Sequence, residues 1–186
     1  LKLKVSQGEA GGETVDALFV PGAEDTLAAL GPLLRQSEIT SANVKILGTG
    51  GFDFPNAGRD PTYIGAWFPS ADPASVQRFT DSFVQHHGHA PPRIASLAFD
   101  AMTIAQTLAS GPDRVRYAPS QLTRAQGFQG VDGLVRLLPN GASERTMAVL
   151  EVQSFGARII EPAASSFGPT QISQQSASSR PARRIN

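Results

Sequence analysis

Three short apolar runs are each followed by residues that could bind a small molecule. The polar or glycine residues after the first two runs are Gly22, Glu24, Asp25, Thr49, Gly50, Gly51 and Asp53. Their backbone N–H groups, the hydroxyl and the carboxylates could hold a polar ligand with an amine. In open α/β sheets, ligands bind at the carboxyl ends of the strands, where such loops meet. The sequence therefore predicts half of a ligand cleft, and the alternative that the glycines only form tight turns stays open.

The glycine-rich run that ends the second apolar stretch does not fit the phosphate-binding motifs. A Walker loop needs a lysine after its last glycine, and none follows Gly51. A dinucleotide fingerprint needs a third glycine, and Asp53 stands there instead. Trp67, the only tryptophan, belongs to the third apolar run. It could stack on a ligand or pack in the interior, and we include it among the candidate ligand-binding residues.

The sequence offers no catalytic constellation. Asp53, Asp60 and Asp100 are candidate acids, but none has a histidine or a second carboxylate at a telling spacing. A hydrogen-bonded structural role is predicted for Asp100, beside the apolar stripe of a helix. No G-x-S-x-G elbow is present for a nucleophilic serine. We therefore predict that the chain is not an enzyme.

All three histidines lie together in the segment Gln85-His86-His87-Gly88-His89. They could ligate a metal, since imidazole is a common ligand. Alternatively, they end a helix at a glycine, where their partial charge suits the helix dipole. Cysteine is absent, which excludes disulfides and thiolate sites. The helix-end interpretation is adopted, and neither a metal nor a cofactor is predicted.

The elements that must position these residues alternate between strand and helix. Residues 17–20 form a continuous apolar run, typical of a strand buried on both faces of a parallel sheet, and residues 44–48 (apolar except for Lys45) and 63–68 are predicted to be a second and a third such strand. Leucines spaced for a helix follow the first run, with Glu24 or Asp25 as its cap and Pro32 as a kink or early end. The alternation predicts an α/β fold with a mostly parallel sheet flanked by helices.

The second half of the chain begins with two helices. Asp72 and Pro73 are predicted to start the first of them. The second spans about residues 91–109, between a proline pair and a Gly-Pro pair, and its apolar residues recur at helical spacing. That pattern predicts a helix in the core.

An antiparallel hairpin or meander is predicted to follow these helices. Residues 128–138 lead to a Pro-Asn-Gly turn, residues 146–152 are expected to form the answering strand, and residues 157–160 another.

Composition limits the remaining choices. Sixteen basic residues balance sixteen acidic ones, so no overall field attracts nucleic acid, and no apolar run is long enough to cross a membrane. Residues 1–5 alternate like a short strand. Residues 1–162 are predicted to form the folded region. Residues 163–186 are rich in Ser, Gln, Ala and Pro, and are predicted to be a polar tail that is disordered or bound to a partner.

The order of the motifs resembles the second lobe of type I periplasmic binding proteins. The motifs that carry the resemblance are residues 16–22 (DALFVPG), 46–50 (ILGTG), 64–68 (IGAWF), 98–101 (AFDA), 128–136 (FQGVDGLVR) and 139–141 (PNG). More narrowly, they are similar to the branched-chain amino-acid receptor group of ABC-transporter substrate-binding proteins, including chains labelled penicillin-binding-protein activators. One departure is Val135 or Leu137 where the family has phenylalanine.

The resemblance implies a function that composition alone does not indicate. It implies an envelope solute-binding protein of an ABC-type uptake system, in which an amino-acid-like ligand lies in a cleft between two lobes. The chain is then expected to be the C-terminal half of a periplasmic protein. Its expected partner is an ABC permease, and a preceding N-terminus could carry a lipid anchor. The alternative is a regulatory or structural protein that reuses the fold to dock on another envelope protein, such as a cell-wall synthase.

Overall fold

The computed structural model describes residues 15–168. In chain order its main elements are β1 (Ala17–Val20), α1 (Glu24–Gln36), β2 (Lys45–Gly48), β3 (Trp67–Ser70), α2 (Pro73–His87), α3 (Ala95–Ala109), α4 (Pro119–Leu122), β4 (Phe128–Gly130), β5 (Gly133–Leu137), β6 (Ser143–Arg145), β7 (Ala148–Val152) and β8 (Ala157–Glu161). Three short 3-10 turns, Gly50–Phe52, Ala57–Arg59 and Pro61–Tyr63, connect β2 to β3. The predicted strand at residues 1–5 lies outside the described residues.

The strands form two separate sheets. The larger has the order β1-β2-β3-β7-β8, with β1, β2 and β3 parallel and the last two strands antiparallel. The smaller is the antiparallel sheet β4-β5-β6. This arrangement confirms the predicted α/β class with an antiparallel addition. It also places the carboxyl ends of β1, β2 and β3 along one edge.

The main core lies on one face of the larger sheet. Leu27 and Leu34 of α1 pack there against Val20 and Ile46. Phe52, from the turn after β2, stacks on Phe68 at 6.1 Å between ring centroids and meets Tyr63 edge-on at 5.4 Å. The 3-10 turns therefore fill the space beside α1 and hold the loops at the edge of the sheet.

The prediction that the parallel strands are buried on both faces is wrong. Phe19 of β1 is 61% exposed, and Trp67 of β3 is also exposed. Alternate residues of β2 and β3 are buried, so only one face of the sheet is covered within residues 15–168. An uninterrupted apolar run shows that a strand has two apolar sides, but not which of them the surrounding chain covers.

Helix starts and ends agree with the sequence at α2 and differ at α1. The Asp72 carboxylate accepts the N–H groups of Ala74 and Ser75 at 2.8 and 3.2 Å, and α2 ends at Gly88 with a φ of 74°. At α1 the cap is Ala23, so the predicted cap by Glu24 or Asp25 is wrong. Both acids lie in the first helical turn, where they favour the helix dipole.

Two strand predictions also need correction. The third strand begins at Trp67 and not at Tyr63, because Asp60 caps a 3-10 turn that includes Tyr63. The strand that answers β5 is β6, and not residues 146–152, since β7 pairs with β3 in the other sheet. Pro32 lies within α1, which continues to Gln36, so it does not end the helix early.

The predicted core role of α3 is confirmed at its C-terminal end and is wrong for the part that begins it. Its buried residues are Ser96, Asp100 and Leu108, whereas Ile94 just before it and Met102 are each 71% exposed. The helix turns its polar side to the small sheet, because Asp100 has partners there. The first part of its apolar stripe, including Leu97, is exposed, whereas Ile104 and Leu108 pack against Phe128 and Val135 of the small sheet.

No helix within residues 15–168 is long and apolar enough to span a membrane. The predicted tail at 163–186 lies mostly outside the described residues. Ala163 packs against the main core, and the Arg136 guanidinium lies 4.4 Å from the ring centre of Phe167. The proposed boundary between the folded region and the tail stays a prediction.

Candidate functional site

The loops that follow β1 and β2 meet at the carboxyl edge of the sheet. The Thr49 hydroxyl donates to the Gly22 carbonyl at 3.3 Å and accepts the Gly51 N–H at 3.2 Å. A Cβ on Gly51 would lie 1.7 Å from the Gly22 oxygen, so only glycine allows this approach. Gly50 starts the adjoining turn. Four of the predicted ligand residues are thus brought together.

Glu24 and Asp25 extend this edge. They occupy the first turn of α1, directly after the β1 loop, and both are exposed. Their carboxylates are free to face a cationic group near the Gly22–Gly51 junction.

Asp53 connects the edge to the smaller sheet. Its carboxylate accepts the Ser70 hydroxyl at 2.6 Å and lies 3.5 Å from an Arg93 guanidinium nitrogen. Arg93 also reaches Asp132 at 3.4 Å, and Asp132 accepts the Ser96 hydroxyl at 2.7 Å. One half-exposed arginine therefore bridges a carboxylate in the connection from β2 to β3 and a carboxylate in the turn between β4 and β5.

Sequence reasoning missed Arg93, Ser96 and Asp132, whereas Ser70 ends the third apolar run, where a ligand loop was predicted. Arg93 and Asp132 are 39 positions apart, so no local spacing relates them. Arg93 follows a proline pair and Asp132 lies between two strands, which are ordinary positions for polar residues. Only the fold brings them to the same edge.

The structure does not bring Trp67 to this edge. It lies on the exposed face of β3, three residues before the strand ends, and its indole N–H donates to Glu151 at 3.0 Å. The Lys45 ammonium lies 4.4 Å from the ring centre. The guanidinium of Arg158, and then the indole of Trp67, lower the pKa of Glu151 by hydrogen bonding.

A cavity of about 450 Å³ opens beside Asp53 and Ser70. Its walls are the loop at 52–57, the end of β3, the start of α2 and the turn before β8. A size of this order suits a small organic ligand. Asp53 and Gln77 of the lining are exposed, whereas Phe52, Phe68 and Val152 are buried, so the cavity could orient a ligand with one polar end.

The predicted structural role of Asp100 is confirmed. Asp100 is 2% exposed, accepts the Val131 N–H at 2.7 Å and pairs with Arg145 at 2.7 Å. Both oxygens are thereby engaged between α3 and the small sheet, which removes Asp100 from consideration as an acid or base.

Asp60 also has a structural role. Burial raises its pKa, but the hydrogen bonds from Arg35 and Thr62 outweigh that effect, so its pKa is lowered. Arg35 forms an ion pair with Asp60 and donates to the Thr62 hydroxyl at 2.8 Å. This group ties the end of α1 to the 3-10 turn before β3.

The phenol of Tyr63 gives a testable pH dependence. Burial, and then the nearby Asp60 charge, raise its pKa from 10.0 to about 12, and its hydroxyl donates to the Leu27 carbonyl at 2.7 Å. The unfolded chain loses this proton first as the pH rises, so the contribution is complete below pH 10 and lost towards pH 12. We expect the free energy of unfolding to fall by roughly 2–3 kcal/mol over that interval.

Urea unfolding of the parent and of Tyr63→Phe, repeated across this pH range, measures the effect. The parent should lose more stability with rising pH than Tyr63→Phe does. Tyr117→Phe retains Tyr63 and is the matched control. Identical pH slopes for the parent and Tyr63→Phe would contradict the assignment.

The histidines form the end of α2. Phe83 and His87 lie 4.3 Å apart by ring centroids, and His86 Nδ1 is 2.7 Å from the Ser82 carbonyl. The predicted helix end at Gly88 is confirmed. Among residues 15–168, no group of three or more potential ligands is arranged to hold a metal ion.

Solved structures with a similar fold identify the fold family of this chain. The chain is similar to a protein of Rhodospirillum rubrum named for a branched-chain amino acid ABC transporter, at 20% identity and a TM-score of 0.63, over 78% of this chain and 44% of that one. The fold is that of type I periplasmic binding proteins. The leucine-binding protein LivK of Thermotoga maritima is also similar, at 21% identity and a TM-score of 0.52, over 77% of this chain and 43% of that one.

A third similar structure is the C-domain of LpoA from Haemophilus influenzae, a regulator of PBP1A. It matches at 17% identity and a TM-score of 0.52, over 80% of this chain and 45% of that one. The chain thus spans less than half the length of these proteins. No family model and no curated protein matches its sequence. These similar proteins are binding or regulatory proteins rather than enzymes.

Proposed function

We propose that the chain is the second lobe of an envelope solute-binding protein that serves an ABC-type uptake system. The observation that carries this proposal is the meeting of the β1 and β2 loops, through Thr49 and Gly22, at the carboxyl edge of the parallel strands. Proteins with this fold include a leucine-binding protein, which favours an amino-acid-like ligand. A periplasmic location, an ABC permease as partner and the absence of catalysis belong to the same proposal.

The roles proposed for the edge follow from its charges. Glu24, Asp25 and Asp53 place carboxylates around the junction of the loops, and they would meet the ligand's amine. Thr49, Gly50 and Gly51 would supply a hydroxyl and backbone N–H groups to its polar end. Closure of a facing lobe over the edge would complete the cleft, as a hinge motion. Trp67, on the exposed strand face, remains a candidate for contact with that facing part.

Isothermal titration of the protein, in the length that its source produces, with a panel of L-amino acids tests the proposal. We expect binding by at least one of them. Asp53→Asn should weaken that binding by about ten- to a hundredfold, because a charged hydrogen bond contributes roughly 1.5–3 kcal/mol. Asp81→Asn, on the exposed side of α2, is the matched control and should bind as the parent does.

Absence of heat with every amino acid would contradict the proposal, as would equal affinity of Asp53→Asn and the parent. The first of these results would favour the second candidate, a regulator that docks on a cell-wall synthase. The similarity to the LpoA C-domain and the exposed apolar residues Leu97, Phe99 and Met102 in the first half of α3 are the observations that support it. Titration of the same sample with a purified synthase then distinguishes the two functions.

A further inference from the structure

A groove runs along α1 on the flank of the larger sheet. Its cavity volume is about 540 Å³, which is within the range of small-molecule sites. One wall is a single stripe of α1 from Glu24 to Arg35, which lie roughly 16 Å apart along the helix axis. The opposite wall is formed by Phe54, Asn56, Ala57, Arg59, Asp60, Pro61 and Tyr63.

The floor of this α1 groove is apolar and tightly packed. Leu27 and Ala57 are buried there, and Tyr63 has its hydroxyl committed to the Leu27 carbonyl. The phenol therefore presents only its ring to the groove. Such a floor suits the apolar body of a ligand.

The charges of the α1 groove are divided between its ends. Arg35 and Asp60 neutralise each other through their ion pair. Arg59 lines the same end and is exposed, and within residues 15–168 no carboxylate lies at ion-pair distance from it. Glu24 lies at the far end of the α1 stripe. The groove thus offers one uncompensated guanidinium at one end and a carboxylate at the other.

We propose that the α1 groove binds a small ligand that has an apolar body and one carboxylate, with the carboxylate held by Arg59. A guanidinium can bind a carboxylate through two parallel hydrogen bonds, which gives both affinity and orientation. Glu24 at the opposite end disfavours a second negative group on the ligand. The site shares Glu24 with the edge around Thr49 and Gly51, but its carboxylate-binding group, Arg59, does not belong to that edge, so the proposal does not depend on the proposed uptake function.

Titration of the full chain with phenylacetate and with its neutral amide, phenylacetamide, tests the site. We expect phenylacetate to bind at least tenfold more tightly than the amide. Arg59→Gln should lower the affinity for phenylacetate about tenfold and leave the weak binding of phenylacetamide unchanged. Arg78→Gln, an exposed arginine of α2 that is absent from the groove, is the matched control and should bind both compounds as the parent does.

Amide chemical shifts of Ala28 and Ala57 report where phenylacetate binds, and both residues line the groove. These shifts should move with phenylacetate in the parent and in Arg78→Gln. Equal affinity for the acid and the amide would overturn the proposal, and so would an unchanged affinity of Arg59→Gln. Absence of phenylacetate binding, or shifts confined to residues outside the groove, would overturn it as well.

Discussion

Asp100→Ala is expected to lower the free energy of unfolding by about 3–5 kcal/mol, because removal of one partner from a buried ion pair leaves the other charge uncompensated. Asp100 is almost fully buried and accepts both the Val131 N–H and the Arg145 guanidinium at 2.7 Å. Alanine would leave a backbone donor and a guanidinium without their acceptor. Urea unfolding at neutral pH measures the loss.

Two further variants separate this pair from a general effect of charge. Asp100→Asn retains an acceptor for Val131 but not the charge that Arg145 needs, so its cost should be smaller than that of alanine. Asp113→Ala removes an acid from an ion pair with Arg116, but that acid is 87% exposed. Its cost should be within about 1 kcal/mol. Similar losses for Asp100→Ala and Asp113→Ala would contradict the structural role.

The three parallel strands were predictable because each belongs to a short, mainly apolar segment that ends near glycine or proline. The run at 17–20 is β1, and the run at 44–48 differs from β2 by one residue. The third run was displaced because Tyr63 is apolar enough to continue a strand pattern, yet Asp60 fixes it in a 3-10 turn. The cap is local, since Asp60 accepts the Thr62 N–H at 2.9 Å, and Asp60-Pro61 is the same start signal as Asp72-Pro73, so sequence reasoning could have found it and did not.

For α3, the hydrophobic periodicity predicted a helix but did not determine which of its faces is buried. Its apolar stripe identifies a helix and one of its faces, but not the surface against which that face packs. Asp100 and Ser96 instead turn the polar side inward, since their partners lie on and beside the small sheet. Burial of those two residues depends on Val131, Arg145 and Asp132, which no spacing within α3 indicates.

The candidate edge was predicted in part for a topological reason. Loops at the carboxyl ends of adjacent parallel strands must meet, so Gly22 and Thr49 could be placed together without coordinates. The Arg93 bridge between Asp53 and Asp132 could not, because it joins two sheets through side chains from distant segments. The role proposed for Arg59 could not be predicted either, because the α1 groove that it lines is formed by two separate segments of the chain.

Gly51→Ala is expected to destabilise the protein by about 3 kcal/mol, since overpacking against a fixed group has costs of that order. A Cβ at this position would lie 1.7 Å from the Gly22 oxygen and 2.7 Å from its carbonyl carbon. Both are backbone atoms, so the β1 loop must move as a whole. That movement would also separate Gly22 from the Thr49 hydroxyl, which joins the two loops of the candidate edge.

Gly50→Ala provides the matched control, one residue earlier in the same 3-10 turn. A Cβ on Gly50 would meet nothing closer than the Pro69 oxygen at 3.7 Å, an ordinary contact. Its stability should therefore stay within about 1 kcal/mol of the parent. The urea unfolding midpoints of the parent, Gly51→Ala and Gly50→Ala measure the difference in stability. Equal midpoints for the two alanine variants would show that the β1 and β2 loops are not in close contact, and the candidate edge would then lose its geometric basis.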